Sequence, residues 1–338
     1  MAETILLTGI SGFIAKHIAL KLLNAGYAVR GTLRKLNRAE EVRAALHPHL
    51  ANSGALDRLT FAACDLESDA GWDAAMAGVS AVIHSASPFP TTDPKDEMVL
   101  IRPALEGTLR VLRAAHKAGV ARVIQTSSIA AVSHRLDGHV QDETDWLEPD
   151  APGITAYAKS KVLAERAAWD FVAAEGKAMA LSVINPGFVL GPPLDRHFGD
   201  SIAIVQRILR GRDPMMPDLY LTVVDVRDVA EMHLRALQRP ESAGKRFIGA
   251  AGTLSFADMG RILKAGHPDR RIPTRTAPDF LIRALALFDR QIKAILPRLG
   301  RVERVSSARA EAELGMRFIS PEGAVRAAGD WLVQNKAL

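Results

Sequence analysis

The sequence predicts an α/β fold: a doubly wound parallel sheet followed by a smaller, mostly helical C-terminal lobe. Short apolar runs alternate with longer segments of helical periodicity through the first half of the chain, as expected of strand–helix units in a parallel sheet. Glycine, serine or asparagine residues follow several of these runs, at the strand ends where such sheets bind ligands. Beyond residue 190 prolines become frequent and the elements shorter, which indicates a second, smaller lobe.

Strands and helices are predicted from these runs in order along the chain. The predicted strands are Thr4–Thr8, Tyr27–Leu33, Leu59–Ala63, Ala81–His84, Arg122–Thr126 and Ala180–Ile184. The predicted helices are Phe13–Leu23, Glu97–Ala118 and Thr155–Ala174. A further amphipathic helix is expected over Asp279–Leu296, with its apolar side chains packed against the protein body; association of this helix with a membrane surface is the alternative.

The domain division follows the change of pattern. We expect a first domain over residues 1–190, with a return segment at about 221–238, and a smaller lobe over residues 191–338. The chain is expected to return to the sheet near Val223–Asp225. A length of 338 residues is enough for one large or two small cores.

A glycine-containing turn joins the first strand to the first helix. Gly9 permits a tight turn, and Gly12 allows a phosphate group to approach the backbone at the helix N-terminus, where unpaired N–H groups favour anions. Ala15 is the third small residue, which serves helix–strand packing. This order of strand, turn and helix is the context of a dinucleotide-binding fingerprint, whereas the alternative is an ordinary turn.

The end of the second strand indicates which dinucleotide binds. Proteins selective for NAD usually carry Asp or Glu here to hold the ribose 2′-hydroxyl, but no acidic residue lies between Gly26 and Arg38. Arg34 instead offers a planar cation suited to a 2′-phosphate. The sequence therefore predicts NADP(H), while Lys35 and Arg38 can be explained as a solvated basic turn.

Tyr157 and Lys161 lie four residues apart on a predicted helix and therefore on one face. The tyrosine pKa is normally about 10, too high for proton exchange at neutral pH, and a fixed neighbouring cation lowers it by favouring the phenolate. The pair is a candidate for general acid–base catalysis. An ordinary surface pair is the alternative, but the glycine turn earlier in the chain favours catalysis.

Six motifs, in order, resemble those of the extended short-chain dehydrogenases/reductases over roughly the first 230 residues. They are Thr8-Gly9-x-x-Gly12-x-x-Ala15, Asp65-Leu66, Thr126-Ser127-Ser128, Tyr157-x-x-x-Lys161, Asn185-Pro186-Gly187 and Val224-Asp225-Val226-Arg227-Asp228. Gly31-Thr32-Leu33-Arg34 and Ala86-Ser87-Pro88-Phe89 are similar to the branch of dihydroflavonol 4-reductase, cinnamoyl-CoA reductase and methylglyoxal reductase. The resemblance implies a Rossmann domain and a substrate-binding C-terminal lobe. It also implies NADPH-dependent reduction of an aldehyde or ketone to an alcohol.

The resemblance also implies residue roles. Tyr157 donates the proton to the carbonyl oxygen, and Lys161 lowers the pKa of that tyrosine and binds the nicotinamide ribose. Ser128 polarises the carbonyl, with Ser127 as the alternative, so that two donors face the oxygen where negative charge develops. The residues expected to bind the cofactor are Thr8, Gly9, Ser11, Gly12, Phe13, Ile14, Arg34, Asp65, Leu66, Ser85, Ala86, Ser87, Thr126, Tyr157, Lys161, Pro186, Gly187 and Val189.

Five further residues are candidates for the substrate pocket. Its candidate residues are Pro88, Phe89, Ile129, Leu190 and Tyr220, which suit a carbonyl compound with a hydrophobic arm. Each of them can equally be explained by ordinary packing. One position departs from the family pattern: Ala104 stands where many extended members have Asn, so a proton-relay or helix-bending role of that Asn does not transfer to this chain.

Composition and patterning exclude several classes of protein. Charges interrupt the longest apolar stretches, so no membrane span is predicted, and Met1 leads directly into the first strand without a secretory leader. Cys64 is the single cysteine, which excludes an internal disulfide or a Cys-based metal site. Nucleic-acid binding is not expected, because the C-terminal cations are scattered without interleaved aromatics. We expect a cytoplasmic monomer or homodimer with a small-molecule carbonyl substrate and no metal.

Two alternative functions remain open at this point. An NAD-dependent nucleotide-sugar epimerase or dehydratase shares the scaffold and the Tyr/Lys pair, and Arg207, Arg210 and Arg212 could bind its diphosphate. It would, however, favour an acidic residue in place of Arg34. A non-catalytic NADP(H)-binding sensor would generally lack the Tyr/Lys pair. A membrane-bound steroid dehydrogenase/isomerase is disfavoured because no membrane segment is predicted.

Overall fold

A computed structural model of the protein describes residues 2–87, 96–133, 138–288 and 295–338. The strands are β1 (Thr4–Thr8), β2 (Ala28–Leu33), β3 (Leu59–Ala63), β4 (Ala81–His84), β5 (Arg122–Thr126), β6 (Val140–Gln141), β7 (Ala180–Pro186), β8 (Phe188–Leu190), β9 (Tyr220–Asp225), β10 (Lys245–Gly249), β11 (Gly252–Ser255) and β12 (Arg304–Val305). The helices are α1 (Phe13–Asn24), α2 (Ala39–Leu46), α3 (Trp72–Met76), α4 (Met98–Lys117), α5 (Ala156–Ala174), α6 (Asp200–Arg210), α7 (Val226–Gln238), α8 (Phe256–Gly266), α9 (Asp279–Leu285), α10 (Ala308–Glu313) and α11 (Pro321–Gln334).

Seven parallel strands form the central sheet, in the order β10-β7-β5-β4-β1-β2-β3. The chain first adds strands on one side of β1 and then, from β4 onward, on its other side, so the winding direction reverses between β1 and β4. Ligands of such sheets bind beyond the carboxyl ends of the strands at this reversal. The topology confirms the predicted doubly wound Rossmann architecture.

Alternation of side chains along β1 divides the core into two layers. Ile5 and Leu7 belong to one apolar cluster together with residues of α1 and α7, whereas Leu6 belongs to another with residues of α3, α4 and α5. Helices therefore cover both faces of the sheet. Cys64 is buried in the second layer, as expected for a small core residue, and burial raises the pKa of its thiol to about 11.

The smaller lobe has its own core and its own sheet. Strands β11, β9 and β8 pair in that order, and residues of α6, α8 and α11 surround a separate apolar cluster that includes Ile202, Met259 and Val325. The predicted return to the central sheet near Val223–Asp225 is wrong, because β9 lies in this smaller sheet. The strand that joins the central sheet is β10, which pairs with β7, while α7 packs against α1.

The predicted helix over Asp279–Leu296 is only partly present. Helix α9 ends at Leu285, and residues 289–294 lie outside the described chain. Ile282 is buried, but Phe280 is 75% and Phe288 91% exposed. The expectation that the apolar side chains pack against the body is therefore wrong for these two residues, because Phe280 lies on the side of α9 opposite Ile282 and Phe288 lies beyond the helix end. Among the described residues, no helix is both long and apolar enough to cross a membrane.

Candidate active site

The glycine turn between β1 and α1 is tightly enclosed. Gly9 has φ +65°, a conformation that favours glycine, and a Cβ there would lie 2.9 Å from Cβ of Ala86. The Gly9 N–H donates to Thr32 Oγ1 at 3.0 Å, and the Gly12 N–H donates to the Gly9 carbonyl at 2.9 Å. A side chain is thus excluded at Gly9, and the N–H groups of the first turn of α1 are suited to an anion.

Thr8 ties the ends of β1 and β4 together. Its Oγ1 accepts hydrogen bonds from the N–H groups of Ser85 and Ala86, at 3.0 and 2.9 Å, and lies 2.9 Å from His84 Nδ1. His84 is fully paired, because its Nε2 lies 3.4 Å from Thr108 Oγ1. Burial lowers the pKa of His84 to about 3, so this histidine is a neutral structural group and holds the predicted Ser85–Ser87 segment beside the glycine turn.

Two further predicted cofactor residues, Phe13 and Ile14, open α1. Their side chains are partly buried against Val189, Val224 and neighbouring residues of the smaller lobe. They therefore offer only backbone groups to a phosphate at the helix N-terminus.

Two arginines lie near the end of β2. Arg34 is exposed immediately after the strand, whereas Arg38 reaches back to the glycine turn and donates through Nη1 to Ser11 Oγ at 3.3 Å. Arg38 also forms a two-point ion pair with Glu41, at 3.0 and 2.6 Å. The interpretation of Arg38 as a solvated cation is therefore wrong. Its contact with Ser11 depends on the fold of the segment between β2 and α2, which the sequence pattern did not reveal.

The turn after β3 carries the next two predicted residues. Asp65 Oδ1 accepts from the Glu67 N–H at 3.1 Å, and the Leu66 side chain packs against Gly107 of α4, where a Cβ would lie only 2.9 Å from that of Leu66. The turn is held in place beyond the carboxyl end of β3, next to the end of β2. This is the side of the sheet on which the glycine turn lies.

An ionic cluster, missed by the sequence reasoning, joins α1 and α2 to the loop after β8. Buried Lys16 pairs with Asp195, and His197 Nδ1 lies 3.1 Å from Glu41 Oε1. Glu41, Asp195 and His197 bring potential metal-ligand atoms within 4.8 Å of one another. Because Lys16 and Arg38 already neutralise the two carboxylates, the cluster is better described as an ionic contact between the two lobes than as a cation site.

The predicted reaction residues converge at the ends of β5 and α5. Thr155 caps α5 by accepting from the Ala158 N–H at 3.2 Å, and Lys161 Nζ lies 5.6 Å from the centroid of the Tyr157 ring. A hydrogen bond joins the side chains of Ser128 and Tyr157. Ser127, the alternative to Ser128, instead donates to the buried carboxylate of Glu165 at 2.5 Å, so its hydroxyl is directed away from this group.

The electrostatics of the pair differ from expectation. Burial raises the pKa of Tyr157 above its usual value, and the hydrogen bond from Ser128 acts in the opposite direction. Burial also lowers the pKa of Lys161 to about 8, against the charge of Glu165. The pKa of Tyr157 is therefore raised overall rather than lowered as expected, because desolvation outweighs the contributions that favour the phenolate.

The remaining predicted cofactor residues lie at or just after the ends of β5 and β7. Thr126 Oγ1 pairs with His233 Nε2 at 2.8 Å. Gly187, directly after Pro186, allows close contact between β7 and β9, since a Cβ there would lie 2.4 Å from the Thr222 carbonyl oxygen. Val189 is largely buried, 8% exposed, where β8 meets α1.

The candidate substrate residues separate into three groups. Leu190 is completely buried in the core of the smaller lobe, so its prediction as a pocket wall is wrong and it is a packing residue. Ile129, directly after Ser128, and Tyr220, at the start of β9, are partly exposed, and Tyr220 hydrogen-bonds to Asp218. Pro88 and Phe89 lie outside the described residues.

Known proteins resemble this chain over most of its length. A model of the NAD dependent epimerase/dehydratase family matches residues 5–249. A ketoreductase of Aspergillus niger is 36% identical over 313 residues, covering 86% of this chain and 90% of that protein. Cinnamoyl-CoA reductase 1 of Petunia hybrida is 37% identical over 279 residues, covering 81% of this chain and 80% of that protein.

The structural comparison extends to the smaller lobe. The crystal structure of yeast methylglyoxal/isovaleraldehyde reductase Gre2 complexed with NADPH superposes with a TM-score of 0.81 at 26% identity, covering 99% of both chains. Since the family match also spans well over half of the sequence, this chain belongs to the NAD dependent epimerase/dehydratase family, within the extended short-chain dehydrogenases/reductases.

Proposed function

We propose that the protein is an NADPH-dependent reductase of an aldehyde or ketone, with Tyr157 as the proton donor. Its reductase relatives make it an NADP-dependent oxidoreductase of the short-chain type. The observation that carries the proposal is the convergence of Ser128, Tyr157 and Lys161 at the end of β5, joined by the Ser128–Tyr157 hydrogen bond. The reaction yields the corresponding alcohol.

The chain fits a dinucleotide with a 2′-phosphate. A side chain at Gly9 would close the turn at the N-terminus of α1, which is where a pyrophosphate would be bound. Arg34 follows β2 directly and is exposed, and the guanidinium of Arg38 is within hydrogen-bonding distance of Ser11 in this turn. Two cations at the ribose end favour NADPH over NADH.

Bound NADPH supplies the hydride. At neutral pH the raised pKa of Tyr157 keeps its hydroxyl protonated, so a proton is available when negative charge develops on the carbonyl oxygen. Ser128 would direct a second hydrogen bond to the same oxygen. Lys161, as an ammonium beside the ring, would stabilise the phenolate that remains after the proton is donated.

The proposed substrate class draws on Ile129 and on the relatives. Ile129, directly after Ser128, offers partly exposed apolar surface, and the relatives include a ketoreductase and cinnamoyl-CoA reductases. We therefore propose a carbonyl compound with a hydrophobic arm.

The test measures consumption of NADPH and of NADH against a panel of aromatic and aliphatic aldehydes and ketones, with the alcohol product identified. We expect alcohol formation with a kcat/KM at least about tenfold higher with NADPH, equivalent to about 1.4 kcal/mol. An enzyme that reduces none of these compounds and retains NAD through purification would contradict the proposal. That result would favour epimerase or dehydratase chemistry.

A further inference from the structure

A third residue shares the helix stripe of Tyr157 and Lys161. Glu165 follows Lys161 by four residues on α5 and therefore lies on the same face. Its side chain is 0% exposed, and a buried carboxylate is costly unless it is fully paired. Its contacts must therefore be accounted for individually.

Both carboxylate oxygens of Glu165 have partners. Oε2 accepts from Ser127 Oγ at 2.5 Å and from Asn185 Nδ2 at 2.7 Å, and Oε1 accepts from Arg246 Nε at 2.6 Å. All three partner side chains are themselves buried. The carboxylate thus joins β5, β7 and β10 beneath the carboxyl end of the sheet.

Two of these contacts lead to Ser128. Asn185 Nδ2 donates a second hydrogen bond to the Ser128 carbonyl oxygen, at 3.1 Å. Ser127 precedes Ser128 directly, and its backbone N–H donates to the Ile184 carbonyl at 2.8 Å. One carboxylate therefore holds the backbone that presents the Ser128 hydroxyl, from both sides of the residue.

We infer that Glu165 is a positioning residue of the reductase reaction, acting through Ser127 and Asn185 on Ser128 and as the buried counter-charge of Lys161. This inference rests on the proposed function. Among the described contacts Glu165 makes none with the glycine turn, and it is too deeply buried to meet a substrate. Its effect on the reaction is therefore indirect.

The charge of Glu165 acts on Lys161. Burial lowers the pKa of the Lys161 ammonium, and Glu165 raises it, giving a value of about 8. Burial, and to a smaller extent the charge of Lys161, lowers the pKa of His84 on β4, so this histidine is neutral. Removal of the Glu165 charge should therefore deprotonate Lys161 at a lower pH.

The other charged groups around Glu165 belong to β10 and the loop after β6. Arg246 pairs with Glu165, donates to the Glu143 and Asp145 carbonyl oxygens and stacks 3.7 Å from the Trp146 ring centroid. Glu143 is a second buried carboxylate, which accepts from the Ile248 N–H and lies 3.9 Å from Arg309. It contacts neither Ser127 nor Asn185 among the described hydrogen bonds, which makes it a matched control.

The experiment compares Glu165→Gln, Glu165→Asp, Glu143→Gln and wild type, using NADPH and the most rapidly reduced aldehyde of the panel. For Glu165→Gln we expect kcat to fall at least tenfold. We also expect the basic limb of the pH profile, where kcat/KM falls at high pH, to begin about one pH unit lower than in wild type. Glu165→Asp keeps the negative charge, but its side chain is one methylene shorter and holds the carboxylate farther from its partners. It should lower kcat about tenfold and leave the limb in place.

Glu143→Gln should lower the melting temperature but leave the limb in its wild-type position. The NADPH dissociation constant, measured by fluorescence, should stay within about threefold of wild type in all variants. If both Glu165 variants show the wild-type kcat and basic limb, or if Glu143→Gln moves the limb equally, the inference is contradicted. If Glu165→Gln does not fold, Glu165→Asp with wild-type kcat is sufficient to reject it. A wild type that reduces no carbonyl compound rejects the proposed function itself.

Discussion

The hydroxyl of Tyr157 lies in an environment that favours its neutral form, because burial disfavours the phenolate more strongly than the Ser128 hydrogen bond favours it. A tyrosine with a raised pKa can serve as an acid at neutral pH, but its conjugate base then requires stabilisation. Lys161, 5.6 Å from the ring centroid, provides a positive charge for that purpose. In the proposed mechanism this environment keeps a proton on Tyr157 available for the carbonyl oxygen.

The two arginines beyond β2 should determine the choice of cofactor. We expect Arg34→Ala and Arg38→Ala each to raise the NADPH dissociation constant about tenfold, since each would remove a cation from the 2′-phosphate, about 1.4 kcal/mol. Binding of NADH should change less than about twofold. Fluorescence titration with both cofactors measures this.

Lys35→Ala is the matched control for the two arginine variants, because Lys35 is an adjacent exposed cation. It should leave the NADPH dissociation constant within about twofold of wild type. Equal losses of NADPH and NADH binding in the Arg38 variant would show that Arg38 supports the turn rather than the 2′-phosphate.

Several residues of the site were predictable from local spacing and others were not. Tyr157 and Lys161 are four residues apart, and the helix alone brings them together. Arg38 and Glu165 depend on contacts with Ser11, Asn185 and Arg246, which are 20 or more residues away in sequence. Nothing in the periodicity of a single segment specifies such contacts. The same holds for the pKa of Tyr157, which depends on burial.

At the scale of elements, the strands of the central sheet follow directly from short apolar runs. The bounds of β1, β3, β4 and β5 agree with those predicted. β1 and β4 are largely apolar runs buried inside the sheet, whereas β3 is an edge strand with Thr60 and Ala63 exposed. The path of the chain after β8 was less predictable. By its sequence, the segment Val223–Asp225 could be a strand of either sheet. Its pairing with β8 and β11 places it in the smaller sheet.

The turn between β1 and α1 should depend on the missing side chain at Gly9. We expect Gly9→Ala to lower the free energy of unfolding by about 2–4 kcal/mol and to weaken NADPH binding at least tenfold. Positive φ accounts for about 1–2 kcal/mol, and the rest comes from the 2.9 Å approach of the new Cβ to Ala86. Denaturant unfolding and cofactor titration measure the two effects.

Gly26→Ala separates the two contributions. Gly26 also has positive φ, +91°, but a Cβ there meets nothing within 4 Å. Gly26→Ala should lower the free energy of unfolding only by the cost of positive φ, about 1–2 kcal/mol, and should bind NADPH as wild type does. If Gly26→Ala were as damaging to NADPH binding as Gly9→Ala, the local fit at Gly9 would not be the cause.

At the scale of the whole molecule, apolar packing of Phe13 and Ile14 against Val189 and Val224 joins the two lobes, and polar contacts of α7 and the loops add to it. Asp225 and Asp228, at the start of α7, differ in their partners, since one pairs with an arginine and the other accepts from a backbone N–H. Asp225 forms a two-point ion pair with Arg227, at 2.8 and 2.7 Å. Asp228 accepts from the Ile319 N–H at 2.7 Å and thereby attaches the segment before α11, and burial raises its pKa to about 6.

Stability should therefore respond to pH through Asp228. A folded-state pKa raised above the unfolded value of 3.8 contributes stability below about pH 4, and this contribution is lost as the pH rises through about 6. Asp228→Asn keeps an acceptor for Ile319 but removes the charge. We expect it to raise the free energy of unfolding by about 1–3 kcal/mol at pH 8, and by less at pH 5.

Asp225→Asn provides the contrast, because it removes a buried carboxylate from its ion pair with the half-exposed Arg227 and should destabilise the protein at both pH values. Denaturant unfolding at pH 5 and pH 8 compares the two variants. A destabilising effect of Asp228→Asn at pH 8 would contradict the account of this carboxylate.

The central claim is that Tyr157 donates the proton in an NADPH-dependent carbonyl reduction. The most direct measurement is the rate of NADPH oxidation with the best aldehyde of the panel, for wild type, Tyr157→Phe and the remote control Tyr27→Phe. We expect Tyr157→Phe to lower kcat by about 10²–10⁴-fold with NADPH binding unchanged, and Tyr27→Phe to retain wild-type kcat. A Tyr157→Phe variant that reduces the aldehyde at the wild-type rate would contradict the claim.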